Sequence, residues 1–218
     1  MACPYCDECI PLVGDIVPWP VPTTIFVLNR LFPLNLSGLI LKLIGWEVSI
    51  TVPDLPQCII CVAPHTSNWD FILGKLAYAS VDRRAGFLMK SSWFFFPLGC
   101  ILRAIGGVPV ERKNKSVSLV EVLTERFRSS ERLVLAITPE GTRSRTDRWH
   151  TGFLAIARNA DVTVVLGVLD YGTKRILIED VFNPTGDTQA DIRAIKDYYK
   201  PFTARYPDKF STDDPTTL

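Results

Sequence analysis

Apolar and polar positions alternate in blocks that divide the chain into short strands and helices. Residues 58–63 form an unbroken apolar run closed by Pro64, the mark of a strand buried on both faces. Residues 86–89, 108–110, 133–138 and 162–169 read as strands too, and 175–178 reads as an edge strand. Between them the period switches to that of a helix. Val117, Val120, Leu123, Thr124 and Phe127 recur at helical spacing with charges between them, so 116–128 is the clearest amphipathic helix. Helices are also expected over 36–46, with Ser37 as N-cap and Gly45 as stop, and over 71–79, 98–105, 152–159 and 187–203. Strands alternating with helices predict an α/β fold, a single-domain sandwich with a largely parallel central sheet flanked by helices. The pattern divides the chain into a proline-rich apolar appendage (1–35), a folded domain (36–210) and a tail (211–218) expected to fray.

Composition narrows the function classes. With 218 residues, 47% hydrophobic and 22% charged, the chain can bury a substantial core and is not low-complexity. A formal charge of +1, without a basic stripe interleaved with aromatics, argues against a nucleic-acid partner. The charge is uneven. Residues 1–60 carry two basic and five acidic side chains, and the remainder carries 22 basic and 18 acidic, a mild bias that suits an anionic substrate or surface. The longest uncharged stretches, 16–29, 31–41 and 91–102, are too short or too broken by proline for a spanning helix of about 20 residues. The last holds Trp93, Phe94, Phe95 and Phe96 before Pro97. Such stretches fit either a membrane-surface contact or ordinary core. No Lys or Arg precedes the apolar N-terminal part, so no cleavable signal peptide is expected.

Six cysteines raise the question of a metal. Cys3, Cys6 and Cys9 resemble the start of a cluster-binding run, but Val13 stands where the fourth ligand belongs. Cys58 and Cys61 sit three apart in a predicted strand and so point to opposite faces, which disfavours joint chelation. No metal site is expected, and reduced thiols are the default reading.

Three polar loops follow predicted strands, at the sheet edge where α/β proteins carry chemistry. The first holds His65 and Asp70, the second Arg112, and the third Glu140, Gly141, Thr142 and Arg143. A carboxylate one helical turn from a histidine can fix the imidazole tautomer and leave the other nitrogen free as a base. Equally, His65 could cap a helix while Asp70 pairs with Lys75. Gly141 permits a tight turn, and Arg143 can fork onto a phosphate or simply pair with Glu140 in solvent.

Taken together and in order, these blocks resemble those of the glycerolipid acyltransferase family, typified by 1-acylglycerol-3-phosphate acyltransferases. His65-Thr-Ser-Asn-Trp-Asp70 matches its H-x4-D block. Gly106-Gly-Val-Pro-Val-Glu-Arg112 matches its Gly-rich strand ending in Arg. Pro139-Glu-Gly-Thr-Arg-Ser144 matches the third block without change, and 162–168 matches the fourth weakly. The chain differs from the family pattern at Pro64, Pro109, Glu111 and His150, and has Gly167 where the fourth block carries prolines.

The resemblance implies direct acyl transfer from acyl-CoA or acyl carrier protein to a lysophospholipid hydroxyl, with 1-acylglycerol 3-phosphate the first candidate acceptor. His65 would be the general base and Asp70 its partner. Arg112, Glu140, Gly141, Thr142 and Arg143 would hold the acceptor, without metal or cofactor. A bilayer-resident acceptor implies a peripheral protein at the cytoplasmic face of a membrane, with the appendage and 93–96 as contacts and Lys90 and Arg103 near headgroups. The alternatives are a different lysolipid, an amino-acid-linked lipid or glycerol 3-phosphate as acceptor, a thioesterase in which His65 activates water, and a lipid-binding protein without turnover.

Overall fold

The structure is a computed structural model and describes residues 35–110 and 118–214. The appendage up to residue 34, with Cys3, Cys6 and Cys9, and the candidate Arg112 lie outside the described residues.

The chain opens with helix α1 (Leu36–Leu43), capped by Asn35, whose side chain accepts from the Gly38 N–H at 2.9 Å. The expected cap, Ser37, is already inside the first turn. Gly45, at φ +77°, ends the helix as expected. Strand β1 (Glu47–Ile50) follows, then β2 (Gln57–Ala63), α2 (Asn68–Ser80) and β3 (Gly86–Lys90). Next come α3 (Leu98–Ala104), β4 (Gly107–Val110), α4 (Leu119–Ser129) and β5 (Leu133–Ile137). The chain continues with α5 (Gly152–Ala160), β6 (Thr163–Asp170), β7 (Arg175–Phe182) and α6 (Thr188–Tyr199). The last helix stops short of the expected Thr203 because Pro201 cannot continue it.

The seven strands form one sheet in the order β1-β7-β6-β2-β5-β3-β4. From β6 to β4 all neighbours are parallel, while β7 runs antiparallel to β6 and parallel to β1. This corrects the reading of 175–178 as an edge. The strand is longer, and β1 covers its outer side. β1 has only four residues, half-exposed and without an apolar run, so its sequence carried no strand signal.

β2 lies in the middle of the sheet. Its Ile59, Cys61 and Ala63 pack with α4, α5 and α6 through Leu123, Phe127, Leu154, Ile195 and Tyr199. Its Cys58 and Ile60 pack on the other face with Tyr78 of α2. Both faces are therefore covered, which is why the strand reads as a continuous apolar run. The two thiols do face opposite ways, and burial pushes them up to about 11 at Cys58 and about 12 at Cys61. Residue 211, where the tail is expected to begin, is held in place. Ser211 is buried, and its carbonyl accepts from the Trp149 indole at 3.1 Å.

Candidate active site

Because β6, β2, β5, β3 and β4 are parallel, the loops leaving them emerge along one sheet edge. Cys61 of β2 is level with Ile137 of β5, and Ala63 is level with Val168 of β6. The segments after β2, β5 and β6 are therefore neighbours.

Leaving β2, the chain passes through His65 and enters α2 with Ser67 as N-cap, which makes Asp70 the third helical residue. The Asp70 carboxylate is saturated with donors. Oδ2 accepts from the Thr66 and Ser67 N–H groups, each at 2.7 Å. Oδ1 accepts from the Ser67 hydroxyl at 2.8 Å and the Tyr171 hydroxyl at 2.6 Å. His65 Nδ1 faces Oδ2 at 3.5 Å, the outer limit of a hydrogen bond. Burial opposes a charge on Asp70, yet the bonds from His65, Tyr171 and Ser67 outweigh it and hold the carboxyl below its ordinary value. The helix N-terminus favours the same ionised form. The Asp70 side chain is 1% exposed and that of His65 19%, so the imidazole is the reachable member of the pair. Lys75 does not compete for Asp70. It donates to the carbonyls of Ala85 and Ile105 instead.

Beyond β5 the chain makes a tight loop. The Gly141 N–H donates to Thr138 O at 3.1 Å, and the His150 N–H to Pro139 O at 2.7 Å. Gly141 sits at φ +63°, and a Cβ there would lie 2.4 Å from His150 Cδ2. Glycine is thus required both for the turn and for the approach of the imidazole. This turn carries Glu140 inward, where its Oε1 accepts from the His65 N–H at 2.7 Å. Burial pushes the Glu140 carboxyl up to about 8, against the bond from His65, and the nearby charge of Asp70 adds to the rise. Arg143 is exposed and donates to the Asn68 side-chain oxygen, which ties the loop to the start of α2. Thr142 serves its own turn, accepting from the Ser144 N–H at 3.2 Å.

His65, Asp70, Glu140, Gly141 and Arg143 therefore come together, although they derive from two loops some 70 residues apart in sequence. Thr142 lies in the same loop with its hydroxyl turned inward on the turn. Three further residues escaped the sequence reading: Asn68, Tyr171 and Arg205. The Arg205 guanidinium lies 5.5 Å from the Trp69 ring centre and 5.9 Å from that of Tyr171. Tyr171 begins the polar turn after β6, and the strand-end rule that selected the other loops would have selected it. Among the described residues, no group of three or more His, Cys, Asp and Glu side chains is placed to hold a metal ion.

Residues 51–166 match the family model described as Acyltransferase. That span includes His65, Asp70, Glu140 to Arg143 and His150, but not Tyr171 or Arg205. A 1-acyl-sn-glycerol-3-phosphate acyltransferase from Streptococcus pneumoniae (strain ATCC BAA-255 / R6) is 27% identical over 146 residues, covering 63% of this chain and 53% of the relative. The chain thus spans about half the length of that curated protein. Among solved structures, the 1-acyl-sn-glycerophosphate (LPA) acyltransferase PlsC from Thermotoga maritima is similar at a TM-score of 0.48 and 17% identity. That match covers 84% of this chain and 91% of the other.

Proposed function

Because this chain belongs to the acyltransferase family, we propose that it moves a fatty acyl group from a thioester to the hydroxyl of a lysophospholipid, with 1-acylglycerol 3-phosphate as acceptor and phosphatidic acid as product. The observation that carries the proposal is the convergence of two loops on His65. Asp70 faces its ring, and Glu140 holds its backbone.

In this reaction His65 Nδ1–H points to Asp70 and Nε2 is the base. Nε2 takes the proton of the acceptor hydroxyl as its oxygen attacks the thioester carbonyl. The tetrahedral intermediate then collapses, the C–S bond breaks, and the thiol sulfur of acyl-CoA or acyl carrier protein leaves with the proton from His65. No acyl-enzyme and no cofactor is required. Arg143 offers a guanidinium to the acceptor phosphate. Glu140, raised to about 8, is mostly uncharged at neutral pH and so does not repel that phosphate. Arg112 is proposed as a second phosphate ligand, on the strength of the sequence block that ends β4.

A bilayer-resident acceptor calls for a peripheral contact, proposed at the cytoplasmic face, and exposed aromatic side chains after β3 support a contact with a lipid surface. Among the described residues no helix is long and apolar enough to cross a membrane. Trp93, Phe95 and Phe96 are 55%, 56% and 70% exposed, next to the exposed Lys90. Aromatic side chains beside a lysine suit the headgroup level of an anionic lipid surface.

The test is incubation of purified protein with palmitoyl-CoA and lysophosphatidic acid, following free CoA and phosphatidic acid by mass spectrometry. Equal formation of both, abolished in His65→Ala, is the expected result. CoA release without phosphatidic acid would assign the chain to thioester hydrolysis instead. Turnover that survives His65→Ala would remove the histidine from the chemistry.

A further inference from the structure

The β6–β7 turn is built more firmly than a surface turn requires, and its one aromatic residue reaches the histidine–aspartate pair. Asp170 ends β6, and its Oδ1 accepts from the Gly172 N–H and the Thr203 N–H, both at 3.0 Å. Its Oδ2 accepts from the Thr173 hydroxyl at 2.6 Å. The Tyr171 N–H donates to Thr203 O at 2.9 Å. A Cβ at Gly172 would lie 2.9 Å from the Thr203 hydroxyl, so the turn is closely packed on the chain after α6. The Tyr171 ring is held edge-on by Trp46, with ring centres 4.9 Å apart, and the Arg205 guanidinium lies 5.9 Å from its centre on another side. These constraints bring the Tyr171 hydroxyl to Asp70, with Ser67 and Arg205 also within hydrogen-bond reach of it. The Tyr171 hydroxyl donates to Asp70 Oδ1 at 2.6 Å, across 101 residues of sequence.

We propose that Tyr171 is a positioning residue for the His65–Asp70 pair. It fixes the plane of the Asp70 carboxylate, so that Oδ2 faces the imidazole, and it withdraws charge from that carboxylate. This rests on the general-base reading of His65 given above. An ionised carboxylate with donors only on its inner oxygen could rotate about its Cβ–Cγ bond. Donors on both oxygens oppose this, with Thr66 and Ser67 N–H on Oδ2 and the Ser67 hydroxyl on Oδ1, and Tyr171 adds the one donor that comes from outside the helix's own first turn. The bond from Tyr171 also moves part of the negative charge away from His65. Without it, Asp70 would stabilise the imidazolium more strongly, and a base protonated at working pH cannot accept the substrate proton. Among the described residues, the other titratable and charged groups around the pair are few. Glu140 enters from the β5 loop, Arg143 reaches Asn68 from the same loop, and Arg205 lies beside Tyr171 from the segment after α6. A change at the Tyr171 hydroxyl leaves Glu140 and Arg143 in place, and takes a hydrogen-bond partner from Arg205 and from Ser67.

Tyr171→Phe removes the hydroxyl and keeps the ring against Trp46, so the fold is preserved, as thermal unfolding will confirm. The expected kinetic result is a kcat about tenfold lower with KM within about twofold of wild type, the loss of one charge-assisted hydrogen bond felt after binding. The second measurement is independent of turnover. The chain has only two histidines, His65 and His150, so proton NMR follows each imidazole, with His150→Gln supplying the assignment. In Tyr171→Phe the ring resonances of His65 should change, while those of His150 stay at their wild-type positions. A kcat within about twofold of wild type, or His65 ring resonances that do not move, overturns the proposal. Failure of the general-base reading looks different. There His65→Ala keeps its turnover, whatever Tyr171→Phe does to the imidazole.

Discussion

Replacing Glu140 by glutamine tests how the site handles a buried acid. Glu140 is 3% exposed, and its carboxyl is raised from an ordinary 4.5 to about 8, first by burial. A carboxyl raised on folding stabilises the fold fully below its unfolded value, near pH 4.5. That stability is lost as pH climbs toward 8, because unfolding now releases a proton that the folded chain still held. The slope within this window is about 1.4 kcal/mol per pH unit. Between pH 5.5 and 7.5 the group should therefore cost the wild type about 3 kcal/mol of stability. The glutamine side chain cannot ionise, yet it retains an oxygen for the His65 N–H, so the variant lacks this slope. Urea unfolding of both proteins at pH 5.5, 6.5 and 7.5 measures it, because every titration the two share cancels in the difference. The wild type should lose about 3 kcal/mol relative to Glu140→Gln across the series. Parallel curves, agreeing within about 0.5 kcal/mol, would mean that Glu140 is ionised throughout. The account of an uncharged acid beside the acceptor phosphate would then fall.

Asp70→Asn keeps the shape of the carboxylate but removes its charge, and should lower kcat by about a thousandfold or more while circular dichroism stays native. Gly141→Ala forces a side chain onto a backbone at φ +63° and into the His150 ring, and should destabilise the fold by about 1–3 kcal/mol in thermal unfolding. The double variant Trp93→Ser/Phe96→Ser should bind anionic liposomes at least about tenfold more weakly than wild type, with turnover on micellar acceptor kept. Equal co-sedimentation of the two proteins would rule out that surface as the membrane contact.

What the sequence disclosed about the fold depended on how locally each element is determined. β2, β5 and β6 are covered on both faces, so burial wrote itself into unbroken apolar runs such as Cys-Ile-Ile-Cys-Val-Ala at 58–63. Asp70 is both the cap partner of Ser67 and the partner of His65, so a spacing of five residues encodes a helix start and a pair of groups together. The helix also begins earlier than its apolar periodicity indicates, because Ser67 and Asp70 set its first turn and the core-facing residues come later. β1 and the interior place of β7 were not legible. Whether 175–182 is an edge depends on whether four half-exposed residues at 47–50 dock beside it, and that is a property of the assembled sheet.

The contact of Tyr171 with Asp70 is likewise a property of the assembled sheet, and it shows what the antiparallel end of the sheet contributes. The parallel strands β2, β3 and β5 are followed by connections that must cross back over a face of the sheet. β6 is followed directly by an antiparallel neighbour, and its exit is a four-residue turn, 171–174. A turn that short, clasped by Asp170, has little freedom to relocate a side chain. The reversal between β6 and β7 thus brings a short, clasped turn to the edge that carries the β2 and β5 exits. A hydroxyl that must meet a buried carboxylate oxygen within a few tenths of an ångström is better carried there than on any neighbouring loop. Its partner across the sheet, Asp70, can be read from its own five-residue neighbourhood. The strand-end position of Tyr171 could be read from the sequence, but its bond to Asp70 becomes legible only once β6 is known to lie beside β2.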